Sequence, residues 1–313
     1  MDTIKSFEQM TAYLADNKRR IRYAMVCADD DSTLHAAEQA LAEGFAHIIF
    51  VGDCQKARSC KALQVYREHI EYAETTTADP AEAAQLAVRL VHEGRAEVVM
   101  KGLLNTDVLL RAVLDKEKGL LPQGKVLTHI TLAQMPGLDR LLFFTDAAVI
   151  PYPTHEQRMA QVEYITLLCR SFGIGQPRIS LIHCSEKPSE KFPHTMGYAE
   201  ICTAAKEGKW GEAIVDGPLD LRTSIDPVAL KKKGIHSALE GKADALIFPD
   251  IEAGNTFYKT ITFLAHADVA GILQGTLCPV VLSSRGDGTQ DKYHSMALAA
   301  MSSKQAMSDD AKN

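Results

Sequence analysis

The sequence predicts an α/β protein whose parallel sheets are covered by helices on both faces. Short apolar runs of strand length alternate with longer segments of mixed polarity, and those longer segments carry helix start and stop signals. Repeated βα units of this kind build buried parallel sheets. The chain has 313 residues, and the usual prior of about 100–200 residues per domain gives two domains.

Arg22 to Ala28 is the first apolar run, and it ends at Asp29-Asp30-Asp31. Ser32 is expected to cap a helix reaching Glu43, with Gly44 as its stop and His47 to Val51 as the next strand. Asp79-Pro80 is the clearest start signal. Asp79 can accept from the free N–H groups of a first turn, and proline suits a position that needs no N–H. That helix runs to Glu93, ends at Gly94 and leads to a strand from Glu97 to Lys101; another helix begins at Asn105-Thr106. His129 to Ala133 and Arg140 to Thr145 are strands, and Thr154 with Gln157 forms a capping box for a helix to Phe172. The alternation continues with strands at Arg178 to His183, Ala213 to Asp216, Ala245 to Phe248 and Val280 to Ser284. Helices are expected around Thr195 to Glu207, at Thr256 to Ala265 and from Asp291 to Met307. The domain crossing is placed at the proline-marked segment Asp146 to Pro153.

Composition excludes several classes. Lys plus Arg total 34 against 40 Asp plus Glu, a formal charge of −6, so no basic face is expected for nucleic acid. No run approaches the ~20 apolar residues of a membrane span. The N-terminus carries acids and lacks an apolar core, so it does not read as a signal peptide. The 7 cysteines are an odd set without a Cys-x-x-Cys pair, which reads as reduced thiols in a cytoplasmic protein and gives no zinc motif.

Ligands in open α/β sheets gather where loops and helix N-termini meet the carboxyl ends of strands. Three strand ends are polar enough to qualify. In Lys101-Gly-Leu-Leu-Asn-Thr-Asp-Val-Leu-Leu-Arg111, a lysine and a helix start at Asn105-Thr106 favour an anion, with Arg111 further along; a capped helix with surface cations is the equal alternative. In Asp250-Ile-Glu-Ala-Gly-Asn-Thr-Phe-Tyr-Lys259, Gly254-Asn255 is expected to open a helix, with Asn255 and Lys259 on one face; taken alone, the motif is better read as an Asn cap beside a solvated lysine. In Ser284-Arg-Gly-Asp-Gly-Thr-Gln-Asp-Lys292, glycines allow close backbone approach and Arg285 offers a planar fork for phosphate or an oxyanion. Asp29-Asp30-Asp31 reads as a solvated run, and Asp216-Gly-Pro-Leu-Asp220 as a turn. His183-Cys184 should point to opposite faces of a strand.

These residues resemble a known family. Lys101-Gly-Leu-Leu-Asn-Thr, Thr145-Asp-Ala-Ala, Asp216-Gly-Pro-Leu, Ile251-Glu-Ala-Gly-Asn-Thr-Phe-Tyr-Lys and Ser284-Arg-Gly-Asp, in this order, resemble the phosphate acetyl/butyryltransferase family. The likeness runs from about Val98 to Ala299 and is closer to the butyryl branch; the chain departs from that branch at Gly288-Thr289-Gln290. The resemblance implies two αβα-sandwich domains of the isocitrate/isopropylmalate dehydrogenase type, with the active site in the cleft between them. It also implies a homodimer or higher homo-oligomer, and C-terminal helices that fold back onto the first domain. The domains would then be 1–146 plus 290–313, and 147–289. The implied reaction converts acyl-CoA and inorganic phosphate to acyl phosphate and CoA, with no metal, cofactor or covalent intermediate. By the same resemblance, Ser284 and Arg285 stabilise the tetrahedral intermediate and Asp291 takes the thiol proton. Lys101, Asn105, Thr106, Arg111, Gly254, Asn255 and Lys259 would hold phosphate and CoA.

The chemistry carries one tension. Moving a proton from a thiol of pKa about 8.5 to a carboxylate near 3.9 is uphill by roughly 6 kcal/mol. Either burial beneath bound CoA raises Asp291, or its main task is orientation. Three other readings compete: a phosphate acetyltransferase, a metal- and NAD-dependent 3-hydroxyacid dehydrogenase on a similar fold, and a silent acyl-CoA-binding subunit. The cofactor fingerprint for the dehydrogenase is absent from the sequence, and Ser284, Arg285 and Asp291 speak against silence.

Overall fold

The computed structural model describes residues 2–282 and 287–303. The chain divides into two compact units: Phe7–Leu127 with Val269–Asn313, called here the first unit, and Met1–Ser6 with Thr128–Asp268, the second. The expected division was 1–146 plus 290–313 against 147–289. The difference lies in β-structure. The antiparallel pair that ends at Thr145 belongs with the second unit, and the hairpin before Leu282 belongs with the first. Proline punctuation at 151–153 marks a turn inside the second unit, not its edge.

In chain order the first unit begins with α1 (Phe7–Asp16), β1 (Ile21–Val26), α2 (Asp31–Ala42), β2 (Ala46–Gly52) and α3 (Gln55–Ser59). It continues with β3 (Ile70–Glu74), α4 (Pro80–His92), β4 (Val98–Lys101) and α5 (Thr106–Val113). The second unit holds β5 (Thr128–Gln134), β6 (Leu142–Thr145), α6 (His155–Ser171), β7 (Arg178–Ile182), α7 (Tyr198–Lys206) and β8 (Ile214–Leu219). Then come α8 (Leu221–Ile225), α9 (Pro227–Lys232), β9 (Ala245–Ile247) and α10 (Ile251–Phe263). The chain returns to the first unit through β10 (Asp268–Gln274), β11 (Val280–Val281) and α11 (Thr289–Ser302).

The strands of the first unit run in the order β3-β2-β1-β4-β11-β10, all parallel except the β10–β11 hairpin. From β1 the chain steps outward to β2 and β3, then returns to the other side of β1 as β4. Right-handed crossovers running in opposite directions put their helices on opposite faces. Accordingly α11 packs with α1 and α2, whereas α4 packs with α5. The core strands are buried along their length, as sheets covered on both sides require: Tyr23, Met25, Ile48 and Phe50 are all fully enclosed. The second unit has the order β5-β6-β9-β7-β8, with only β5–β6 antiparallel. Phe143, Phe144, Leu181 and Leu246 form its centre.

Local signals placed several helices well. Asp79 accepts from Ala81 N–H (2.9 Å) with Pro80 first in α4. In α6, Thr154 and Gln157 exchange both bonds of the capping box (3.2 and 2.8 Å). Two expectations are corrected. Asp30, not Ser32, caps α2 by accepting from Thr33 N–H (2.9 Å). Asp250 caps α10 through Ala253 N–H (2.8 Å), so Gly254-Asn255 lies inside that helix and does not open it.

Candidate active site

The first unit has a topological switch point between β1 and β4, where loops to oppositely placed helices diverge and leave a crevice at the carboxyl ends. Lys101 closes β4 opposite Val26 of β1. Its side chain is buried, and its Nζ donates to the carbonyls of Gly102 (3.1 Å) and Leu104 (3.2 Å). The ammonium therefore folds over its own strand-to-helix turn and holds it. Gly102 is required there, because a Cβ would stand 2.3 Å from the Cys27 carbonyl oxygen. Asn105 occupies the N-cap position of α5 in extended conformation, and Thr106 is the first helical residue; both are exposed. Arg111 points elsewhere. Its guanidinium pairs with Asp107 (3.2 Å), and the residue lines a groove between α4 and α5 beside Arg89 and Lys118.

β11 lies beside β4 in parallel, with Val281 opposite Met100. The chain that leaves β11 thus starts next to Lys101. Ser284 and Arg285 lie outside the described residues. The segment resumes at Asp287, and α11 begins at Thr289, two residues before Asp291. The Asp291 carboxylate accepts from Gly288 N–H (3.2 Å) and so closes the first turn of α11. Lys292, next in sequence, is buried. Its Nζ donates to Asp30 Oδ1 (2.7 Å), Ser32 Oγ (2.7 Å) and Thr33 Oγ1 (2.9 Å). Burial pushes the Asp30 carboxyl up, but hydrogen bonds from Lys292, Ser32 and Thr33 outweigh it and hold the group far below the usual range. Asp30 is therefore no member of a solvated acidic run. It is an N-cap and an ion-pair partner at once.

In the second unit the ends of β6 and β9 are adjacent, Thr145 opposite Ile247. Asp146 follows β6 and is almost wholly buried. Its carboxylate accepts from Thr128 Oγ1 (2.8 Å) and from the N–H groups of His129 (3.1 Å), Ala148 (2.8 Å), Val149 (2.8 Å) and Ile150 (3.3 Å). Gly254 of α10 packs on this turn so closely that a Cβ would meet the Asp146 carbonyl oxygen at 2.1 Å. Asn255 Nδ2 donates to the Ala147 carbonyl (2.9 Å). Gly254 and Asn255 thus join a helix to a loop. Lys259, one turn later and exposed, sits 5.0 Å from the Tyr258 ring centre. Asp146 was legible in its motif yet was not singled out, because an acid after a strand gives no sign of how many N–H groups it will gather.

His183 and Cys184 also differ from expectation. β7 ends at Ile182, so strand alternation no longer governs them, and Cys184 Sγ comes within 3.6 Å of His183 Nε2. His194 Nε2 lies 3.3 Å from His183 Nδ1. Burial, with the Arg158 and His183 charges adding to it, lowers His194 to about 4. Of the expected site residues, Lys101, Asn105, Thr106, Arg111 and Asp291 belong to the first unit. Gly254, Asn255 and Lys259 belong to the second. Among the described residues no cluster of His, Cys, Asp and Glu is arranged to hold a metal ion, and no helix is long and apolar enough to cross a membrane.

Comparison with known proteins agrees with the motifs. The profile of the Phosphate acetyl/butaryl transferase family matches residues 68–300. The phosphate butyryltransferase of Clostridium acetobutylicum is 36% identical over 298 residues, covering 95% of this chain and 98% of that protein. The phosphate acetyltransferase of Rhizobium meliloti is 36% identical over 275 residues, 87% of this chain and 85% of that one. The crystal structure of a branched-chain phosphotransacylase from Enterococcus faecalis superposes with a TM-score of 0.79 at 30% identity, covering 90% of this chain and 98% of that one. With its α/β fold, its ordered motifs and relatives matched over nearly their whole lengths, this chain belongs to the phosphate acetyl/butyryltransferase family.

Proposed function

We propose that this protein transfers a short-chain acyl group, butyryl above all, between CoA and inorganic phosphate. In the forward direction a phosphate oxygen attacks the thioester carbonyl carbon, a tetrahedral intermediate forms, and the C–S bond breaks to release CoA and leave acyl phosphate. Both substrates are held together, so the reaction gains most from positioning, with no resident metal or cofactor. Arg285 and Ser284 stabilise the oxyanion. Asp291 takes the thiol proton when acyl phosphate is the donor. In the first unit Lys101, Asn105 and Thr106 form the anion-attracting strand end, and Arg111 attracts CoA from the groove between α4 and α5; in the second, Lys259 is a further cation for CoA, and Gly254 and Asn255 brace the turn at residues 145–148.

The observation that supports this reading most is the register of β11 against β4. It brings the end of β11, three residues before Ser284, next to the end of β4 and Lys101, and Asp291 lies in the first turn of the following helix. The butyryl preference rests on Lys101-Gly-Leu and on Gly254-Asn-Thr-Phe-Tyr-Lys. Phosphate-dependent thiol release across C2 to C6 acyl-CoAs tests it. The expected result is a kcat/KM maximum at C4, several-fold or more above C2, since each methylene in an apolar pocket contributes about 1–3 kcal/mol at most. A maximum at C2 makes the protein a phosphate acetyltransferase, and no release from any substrate refutes acyl transfer. The reading extends to a cytoplasmic homodimer or higher homo-oligomer. In support, burial drives the Cys27 and Cys54 thiols up to about 11, which suits reduced, unreactive cysteines.

A further inference from the structure

The first turn of α11 carries Asp291. The bond from Gly288 N–H to the Asp291 carboxylate (3.2 Å) closes that turn from within the helix. The structure supplies a hold from elsewhere. Lys292 turns inward where Asp291 does not, and its ammonium donates to Asp30, Ser32 and Thr33 at 2.7, 2.7 and 2.9 Å. Those acceptors form the N-terminal turn of α2, which leaves the carboxyl end of β1, and β1 adjoins β4 at Val26–Lys101. Each acceptor is itself fixed: Asp30 receives Ser32 Oγ (2.6 Å), Thr33 N–H (2.9 Å) and Thr33 Oγ1 (2.7 Å). A buried ammonium with three oxygen acceptors in one geometry cannot shift without losing charge-assisted bonds that water would not replace.

We propose that the buried Lys292–Asp30 pair, completed by Ser32 and Thr33, is a positioning device for the reaction: it fixes Asp291 relative to Lys101. This rests on the role given to Asp291 above. Lys292 touches no substrate; it acts through its neighbour. The sequence leaves room for a simpler function, since a buried ion pair can serve stability alone. The two roles differ in how mutations combine. If Lys292 acts through Asp291, removing both costs little more than removing Asp291, because residues that act as a unit are not additive.

The test is a double-mutant cycle on thiol release from butyryl-CoA and phosphate, using Lys292→Met, Asp291→Asn and the pair. Lys292→Met is expected to lower kcat by about 10- to 100-fold while KM for phosphate moves by less than about threefold. In the Asp291→Asn background the same substitution should cost less than about twofold. Ser32→Ala keeps the ion pair and guards against a folding defect; it should show a smaller loss with the same non-additive pattern. Losses that multiply across the cycle, or a kcat unchanged in both Lys292→Met and Ser32→Ala, overturn the proposal. Full turnover in Asp291→Asn alone removes the role of Asp291 and the positioning role with it. That outcome is separable, because it appears in the single variant.

Discussion

The strand ends of the two units are built with opposite charges. In the first unit, ammonium groups organise the turn: Lys101 donates to the carbonyls of Gly102 and Leu104, and Lys292 holds α11 to Asp30. In the second, a carboxylate does so, with Asp146 gathering N–H groups from the turn it begins. Each choice fixes what the edge can attract. Lys292 spends its charge on Asp30, so in the proposed function the Lys101 ammonium and the helix start at Asn105-Thr106 are what draw phosphate to the first unit's edge. The anionic organiser of the second unit consumes its charge internally, and Gly254 and Asn255 pack upon it. Under the proposed function, motifs that look equally ligand-like in sequence divide into one that attracts phosphate and one that braces a turn.

That division predicts where substitutions show. Asp146→Ala removes the acceptor of four N–H groups and of the buried Thr128 hydroxyl, so unfolding free energy from urea titration should fall by roughly 3–5 kcal/mol; a loss below 1 kcal/mol would mean the turn holds without it. Gly254→Ala drives a Cβ into a backbone carbonyl that cannot step aside, and should cost about 1–3 kcal/mol in the same titration. Asn255→Ala removes one hydrogen bond, about 1 kcal/mol. Thr106→Ala, on the exposed start of α5, should leave stability within about 0.5 kcal/mol yet raise KM for phosphate. A stability loss at Thr106 matching that at Asn255, with KM unmoved, would erase the contrast.

A further effect is a pH dependence to which His194 of the second unit contributes. His194 is held at about 4 when folded, against about 6.5 for a free histidine. Between those values the unfolded chain binds more protons, so stability is complete above about pH 6.5 and declines as pH falls toward 4. Denaturation midpoints at pH 7 and pH 5 should differ more for the parent protein than for His194→Gln. Equal shifts would place the acid sensitivity elsewhere.

Features that depend on neighbours in sequence were legible in advance. Asp79-Pro80 and Thr154 with Gln157 complete their caps within one turn, and the helices begin where those residues say. At Asp29-Asp30-Asp31-Ser32 every residue is a competent cap, so sequence alone could not choose among them. At Asp250 the glycine four residues later drew attention as a turn signal, although its reason is packing against Asp146. Nothing local joins Lys292 to Asp30, which lies 262 positions away. The motifs identify the family, but the ion pair behind α11 exists only because β1, β4 and β11 stand side by side.

Arg285→Ala tests the central claim most directly, that the segment between β11 and α11 carries the chemistry. Turnover of butyryl-CoA with phosphate should be measured alongside CoA binding by calorimetry. A fall in kcat of about 10²–10³-fold is expected, the usual cost of an oxyanion donor, with CoA affinity little changed. Undiminished turnover would contradict it, because the developing negative charge would then be stabilised by another part of the protein.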